Sequence, residues 1–263
     1  MNNIGTGKNF PKENPGILDR ALTYAIINFG VVPAIQIFMN LLNQTRIIGR
    51  EHLRSLNPPF ILMSNHLTLL DDLFLGPLLF FPKTLKGYEY IPYHAPEENN
   101  FYKIPLISWF MRKAKSIPLI RGRGVNQEGV SRLISAVKNG GMLHIYPEGT
   151  RSRDGEIGKP KLGVGRIVCE TGTPVLPVYH QGLERILPIG AKSIGFGREI
   201  RIAIGEPLYF EKELKMNNNI RTWRAITDRI MDSIHQQRAA ANARWGFKPV
   251  RVKLIRSTKT VQQ

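Results

Sequence analysis

The sequence predicts an α/β domain, a central mixed sheet flanked by helices, preceded by an apolar helical segment that associates with a membrane. Short apolar runs of strand length alternate with stretches of helical periodicity over roughly residues 47–243. Ahead of them, residues 17–43 are apolar nearly all round, with no charge between Arg20 and Arg46. The 263 residues are 42% hydrophobic, enough to bury one core, and the net charge of +17 implies a polyanionic partner: nucleic acid, an anionic membrane surface or phosphorylated substrates. The chain therefore divides into a tail and membrane-associated segment at 1–46, an α/β domain at 47–243 and a basic tail at 244–263.

The polar stretch Met1 to Asn14 lacks the apolar centre of a secretory signal and the Arg richness of a transit peptide. The apolar run that follows is long enough to span a bilayer. Asn28, Gln36 and Asn40 are polar, and Gly30 and Pro33 interrupt its middle, so a kinked helix or two short helices in one leaflet also fit, as does a core helix. Residues 49–58 read as a connecting strand and turn that end at Pro58-Pro59. Phe60 to Met63 reads as a buried strand and Leu69 to Phe81 as a helix. Pro82 to Gly87 is a basic turn, and Tyr88 to Phe101, rich in aromatics, prolines and acids, reads as a loop or lid.

Pro105 to Arg112 is a short helix, and Ser116 to Ile120 a strand that enters Arg121-Gly122-Arg123-Gly124. Val130, Leu133, Ile134 and Val137 have helical spacing within residues 126–139, and Asn139-Gly140-Gly141 stops that helix. Met142 to Tyr146 and Pro174 to Tyr179 are strands, with a helix from about Lys161 to Thr171 between them. Glu199 to Gly205 alternates like a strand with one exposed face, and residues 220–240 form a long amphipathic helix. Lys and Arg without any acid, interleaved with Trp245 and Phe247, give a tail suited to nucleic acid or to anionic headgroups. No nucleic-acid module accompanies it, and the apolar N-terminal run favours the membrane. The single cysteine, Cys169, excludes an internal disulfide framework and a multi-cysteine zinc site. No metal ligands are assigned.

The stretch Ser64-Asn65-His66-Leu67-Thr68-Leu69-Leu70-Asp71-Asp72 joins a strand to a helix. A carboxylate that accepts from one imidazole nitrogen raises the basicity of the other, which can then deprotonate a hydroxyl. Thr68-x-x-Asp71 also has the form of a capping box, and both acids suit a helix N-terminus, where Asp72 reads as a capping residue. His144 reads as structural, and His94 and His180 show no partner pattern. Other strand-end loops carry Arg121, then Glu148-Gly149-Thr150-Arg151, then Lys161 with Gly163 and Gly165. Three separated cations there suit a phosphate, and glycines allow close backbone approach and offer N–H donors.

His66-x4-Asp71, Tyr146-Pro147-Glu148-Gly149-Thr150-Arg151-Ser152 and the paired prolines of Pro174-Val175-Leu176-Pro177-Val178 resemble the motifs of the glycerolipid acyltransferases, which include 1-acylglycerol-3-phosphate acyltransferase. The order and spacing agree over roughly residues 47–210. The family's Phe-Ile-Asp-Arg block is replaced here by Pro118-Leu119-Ile120-Arg121, and Tyr146 stands where Phe is usual. The altered block, Asp71-Asp72 and Lys161-x-Gly-x-Gly-Arg166 are similar to the tafazzin branch, which moves acyl chains between phospholipids without CoA.

The resemblance implies direct acyl transfer. His66 would be the base on a lysophospholipid hydroxyl, and Asp71 would orient it. Arg121, Arg151 and Lys161 would hold the acceptor phosphate, with Glu148 fixing the glycerol or the loop and backbone N–H groups of these loops stabilising the oxyanion. It implies no resident cofactor, with acyl-CoA or acyl carrier protein as co-substrate. It places the enzyme on the cytoplasmic face of a membrane, not secreted and with no nucleic-acid partner.

Overall fold

The computed structural model describes residues 11, 15–191 and 193–246; the N-terminal tail and the basic tail beyond Gly246 lie outside the described residues. Residues 17–40 form one helix with a wide π turn at its centre: α1 (Ile17–Ala25), the turn (Ile26–Val31) and α2 (Val32–Asn40). Pro33 has no N–H to give to the carbonyl four residues back, and the wide turn just ahead of it accommodates that loss. The helix lies along the domain. Asn28 Nδ2 donates to the Thr84 carbonyl at 3.2 Å, Gln36 Nε2 to the Pro77 carbonyl at 3.0 Å, and Asp19 pairs with Lys113. Its outer face leaves Ile17, Leu18, Phe29 and Ile37 exposed.

The strands are β1 (Gln44–Ile48), β2 (Ile61–Ser64), β3 (Tyr93–His94), β4 (Leu143–Ile145), β5 (Val175–Gln181) and β6 (Glu199–Ile204), in the order β1-β6-β5-β2-β4-β3. β2 to β5 run parallel to one another, while β6 is antiparallel to β5 and β1 parallel to β6. The sheet is therefore mixed, and four strands deliver their carboxyl ends to one edge. Helices cover both faces. Leu62, Leu176 and Ile202 pack with α2, with α3 (Arg50–Ser55), with α4 (Asp71–Phe80) and with α9 (Leu183–Ile186). Ile61, Met63, Leu143 and Val175 pack with α7 (Glu128–Lys138), α8 (Gly163–Thr171) and α10 (Ile220–Trp245). Strands buried on both sides read as continuous apolar runs, as Phe60 to Met63 does.

Several expectations need correction. Arg50 to Ser55 is helical rather than extended: Gly49, at φ +75°, turns the chain out of β1, and the next six residues hold no β-branched side chain. Ser116 to Ile120 makes only isolated bridges, from Ser116 to His94 and from Leu119 to Glu97. Tyr88 to Phe101 is no lid, since its two-residue β3 is an edge strand of the sheet and α5 (Glu98–Phe101) follows it. Lys115, after α6 (Pro105–Lys113), anchors that segment. Its ammonium donates to the Ile91 carbonyl at 2.6 Å and lies 4.1 Å from the ring centres of Tyr88 and Tyr93; burial pushes its pKa down to about 7. β6 is buried on both faces. Ala203 meets Ala241 of α10, and Arg201 is buried by donating to Glu199 and to the Gly246 carbonyl.

Candidate active site

His66 sits two residues past the end of β2, at the edge where β2 to β5 terminate. Its Nδ1 lies 2.9 Å from Asp71 Oδ2, in the first turn of α4. The carboxylate can only accept when ionised, so Nδ1 carries the proton and the Nε2 lone pair is left for another partner. Asp71 is wholly buried. It also accepts from the Leu67 N–H at 2.6 Å, the Thr68 N–H at 2.9 Å and the Thr68 hydroxyl at 2.7 Å. Burial alone would raise its pKa, yet His180, His66 and the Thr68 N–H together hold it below the usual carboxylate range. The capping-box expectation is thereby revised: Leu70 is the N-cap, and Thr68 supports Asp71 instead of capping α4.

A second frame holds the loop from behind. Asn65 Oδ1 accepts from the His180 N–H at 2.9 Å, Asn65 Nδ2 donates to the His180 carbonyl at 3.0 Å, and His180 Nε2 lies 2.7 Å from the Asn65 carbonyl. That last contact makes Nε2 the protonated nitrogen of His180, whose pKa burial pushes down. A histidine that charges more readily unfolded than folded loses stability as pH falls below its unfolded value of about 6.5. The melting temperature of wild-type protein is thus expected to drop from pH 6.5 to pH 5 more steeply than that of His180→Gln; parallel curves in a pH series of thermal melts would contradict this.

The Glu148 loop follows β4. Glu148 is buried, its Oε1 accepting from the His66 N–H at 3.0 Å and its Oε2 from the Gly158 N–H at 2.8 Å. Burial raises its pKa, and those two N–H groups oppose the rise. The Ser152 N–H donates to the His66 carbonyl at 2.8 Å, so Thr150 and Arg151 run beside the His66 loop. Gly149, exposed at φ +62°, has room for the stem of Lys161, whose N–H donates to the Pro147 carbonyl at 2.7 Å. The structure thus gathers His66, Asp71, Glu148, Gly149, Thr150, Arg151 and Lys161 around two adjacent strand ends. Arg121 lies on the exposed turn after Ile120 and pairs with Glu97 at 3.1 Å. Arg166 is tied to Glu170, Asn126 and the Val125 carbonyl. The N–H groups of His66, Leu67, Thr68, Gly149 and Ser152 already have internal acceptors, which removes them as oxyanion donors.

Sequence reasoning missed a set of residues beside the pair. The Tyr146 ring stacks on His66, centroids 4.0 Å apart, and its hydroxyl donates to Asp72 Oδ1 at 2.9 Å. The capping expectation for Asp72 is corrected: α4 has no side-chain cap bond, and the carboxylate instead accepts from Tyr146 and faces His94 and His144. The available signal was a paired departure, Tyr for the usual Phe together with the Asp71-Asp72 doublet.

Comparison with known proteins agrees with this arrangement. The Acyltransferase family matches residues 44–181, slightly more than half of the 263. The chloroplastic 1-acyl-sn-glycerol-3-phosphate acyltransferase BAT2 of Brassica napus is 33% identical over 170 residues, 64% of this chain and 46% of that protein. Tafazzin of Drosophila melanogaster is 30% identical over 234 residues, 82% of this chain and 61% of that protein. The chain spans about half of the first relative's length and about three fifths of the second's. Its fold is similar to that of the 1-acyl-sn-glycerophosphate (LPA) acyltransferase PlsC from Thermotoga maritima, with a TM-score of 0.61 at 23% identity over 84% of this chain and 80% of that one. With the family match running through the His66 loop, the strands beside it and the Glu148 loop, the chain belongs to the acyltransferase family.

Proposed function

We propose that the protein is a membrane-associated O-acyltransferase that moves a fatty acyl chain from acyl-CoA or acyl carrier protein to the free hydroxyl of a lysophospholipid, with 1-acyl-sn-glycerol-3-phosphate as acceptor and phosphatidic acid as product. The observation that carries it is the His66–Asp71 pair, with Nδ1 held at 2.9 Å by a buried carboxylate and Nε2 left to face a substrate. His66 takes the proton of the acceptor hydroxyl as its oxygen attacks the thioester carbonyl. The tetrahedral oxyanion then collapses, expels the thiolate, and His66 returns the proton to it. Asp71 orients the ring and stabilises its charged form. Arg151 and Lys161, on the loops that flank His66, bind the acceptor phosphate; Arg121, paired with Glu97 on an exposed turn, joins them only by leaving that carboxylate. Glu148 acts by holding the His66 loop to the Gly158 loop.

The N-terminal helix supports docking along the bilayer surface. Its inner side is tied to the domain, while Ile17, Leu18 and Phe29 stay exposed; Leu106 and Trp109 are also exposed on α6, whose Lys113 pairs with Asp19 of α1. A charge of +17 suits the anionic cytoplasmic leaflet. A second reading, CoA-independent transfer between phospholipid and lysophospholipid, is favoured by the likeness to tafazzin over 82% of the chain. Labelled acyl donors decide between them. Under the first reading, 1-acyl-sn-glycerol-3-phosphate is acylated when a thioester donor, acyl-CoA or acyl carrier protein, is supplied and not from phospholipid alone. Transfer from phospholipid without any thioester establishes the second, and no acylation of any lysophospholipid from either donor overturns both.

A further inference from the structure

Asp72 lies on α4, His94 on β3 and His144 on β4, and the three converge beside the His66 pair. His94 Nδ1 stands 3.1 Å and His144 Nδ1 3.0 Å from Asp72 Oδ1, and the three atoms all lie within 4.8 Å of one another. Two carboxylate–imidazole hydrogen bonds would be the ordinary explanation. Both imidazoles pair with the carboxylate at those distances, but the direction is poor: both Nδ1 atoms are buried and, among the described residues, neither has a partner that meets hydrogen-bond geometry. His144 is wholly buried, so no solvent reaches it instead. Its Nε2 lies 3.2 Å from Ser64 Oγ, and when that nitrogen donates to the hydroxyl, the Nδ1 lone pair faces the carboxylate. Two acceptors at 3.0 Å repel unless a proton or a metal cation lies between them.

We propose that Asp72, His94 and His144 bind a divalent transition-metal ion, with zinc the best-matched species. Ligands held about 2.1 Å from a metal and 90–109° apart stand roughly 3.0–3.4 Å from each other. The separations of His144 Nδ1 and His94 Nδ1 from Asp72 Oδ1, 3.0 and 3.1 Å, fall in that range. Two imidazoles and one carboxylate select zinc-like ions over magnesium or calcium, which prefer all-oxygen sites. Ser64 on His144 Nε2 and the Tyr146 hydroxyl on Asp72 Oδ1 orient the donors, as outer partners of metal ligands commonly do. The side chains of Asp72 and His94 are 26% and 14% exposed, which gives an ion a way in. The ion would fasten α4 to β3 and β4, and through Tyr146 hold the ring that stacks on His66. The one cysteine excludes a multi-cysteine zinc site but leaves this imidazole–carboxylate site untouched.

The test is metal analysis of the purified full-length chain, followed by zinc titration of chelator-treated protein against a chromophoric competitor. One zinc per chain is expected, bound at least about 10²-fold more weakly in His94→Ala and in Asp72→Asn than in wild type. His52→Ala and His235→Ala should bind as wild type does. Circular dichroism confirms that each variant is folded, and neither principal variant alters the fully buried His144. Zinc binding that both principal variants leave intact overturns the proposal, as does wild-type binding no tighter than millimolar. In either case the three side chains are a polar cluster without an ion.

Discussion

His66→Ala is expected to lower acyl transfer by roughly 10²–10⁴-fold, the contribution of a positioned general base, while the protein melts within a few degrees of wild type. The two effects separate because the imidazole lies at the mouth of the site, its side chain 18% exposed, with one face on Tyr146 and one nitrogen on Asp71. Removing it takes away the proposed proton acceptor and little of the core. Asp71→Ala should be worse on both counts. It leaves two backbone N–H groups and the Thr68 hydroxyl buried without their acceptor, at a cost on the order of 2–4 kcal/mol, and it frees the ring to turn and to adopt the wrong tautomer. Assays of turnover and thermal melts on both variants distinguish these outcomes. A His66→Ala protein that turns over at the wild-type rate would remove the dyad from the mechanism. An Asp71→Ala protein as stable as wild type would mean that its four donors find other acceptors.

The His66–Asp71 pair was legible because both residues belong to one short segment, so their spacing alone places them together. The apolar strand before them and the Glu148 loop were legible for the same local reason. What surrounds the pair was not. Asp72, His94, His144 and Tyr146 meet only because β3 lies next to β4 and β4 next to β2, a sheet order that no local pattern encodes. β3 is two residues long between prolines, too short to show a period, and so its histidine looked like part of a loop. His144 read as structural because it alternates within a buried strand, which is where the structure puts it; its partner sits on another element. His180 was obscured in the same way, since its three contacts with Asn65 cross 115 positions of sequence. The exposed face expected for β6 failed at Arg201, because a charged residue at an alternating position signals solvent unless another segment covers it, and α10 does.

Gly163 and Gly165 provide the other large expected effect, because the structure gives two neighbouring glycines opposite roles. Both suit a phosphate cradle at the start of a helix. In the fold, however, Gly165 is buried where α8 crosses α10, and a Cβ there would overlap the Trp223 carbonyl and stand 2.5 Å from Thr227 Oγ1. Thr227 cannot simply turn away, since its hydroxyl donates to that same carbonyl at 2.7 Å. Gly165→Ala must therefore push two helices apart. The expected loss is roughly 3 kcal/mol, the upper end for overpacking because backbone rather than side chain is struck, or about 6–12 °C in melting temperature for a domain of this size. At Gly163 a Cβ meets only Val125 Cγ1, at 3.8 Å, an ordinary contact. Gly163→Ala should melt within about 0.5 kcal/mol of wild type. A phosphate cradle makes a different prediction: both variants would weaken binding of the lysophospholipid and neither would lose stability. Melting temperature and acceptor KM, measured on the two variants side by side, separate helix packing from anion binding at these positions. A stable Gly165→Ala protein with a raised KM would return that glycine to the substrate site.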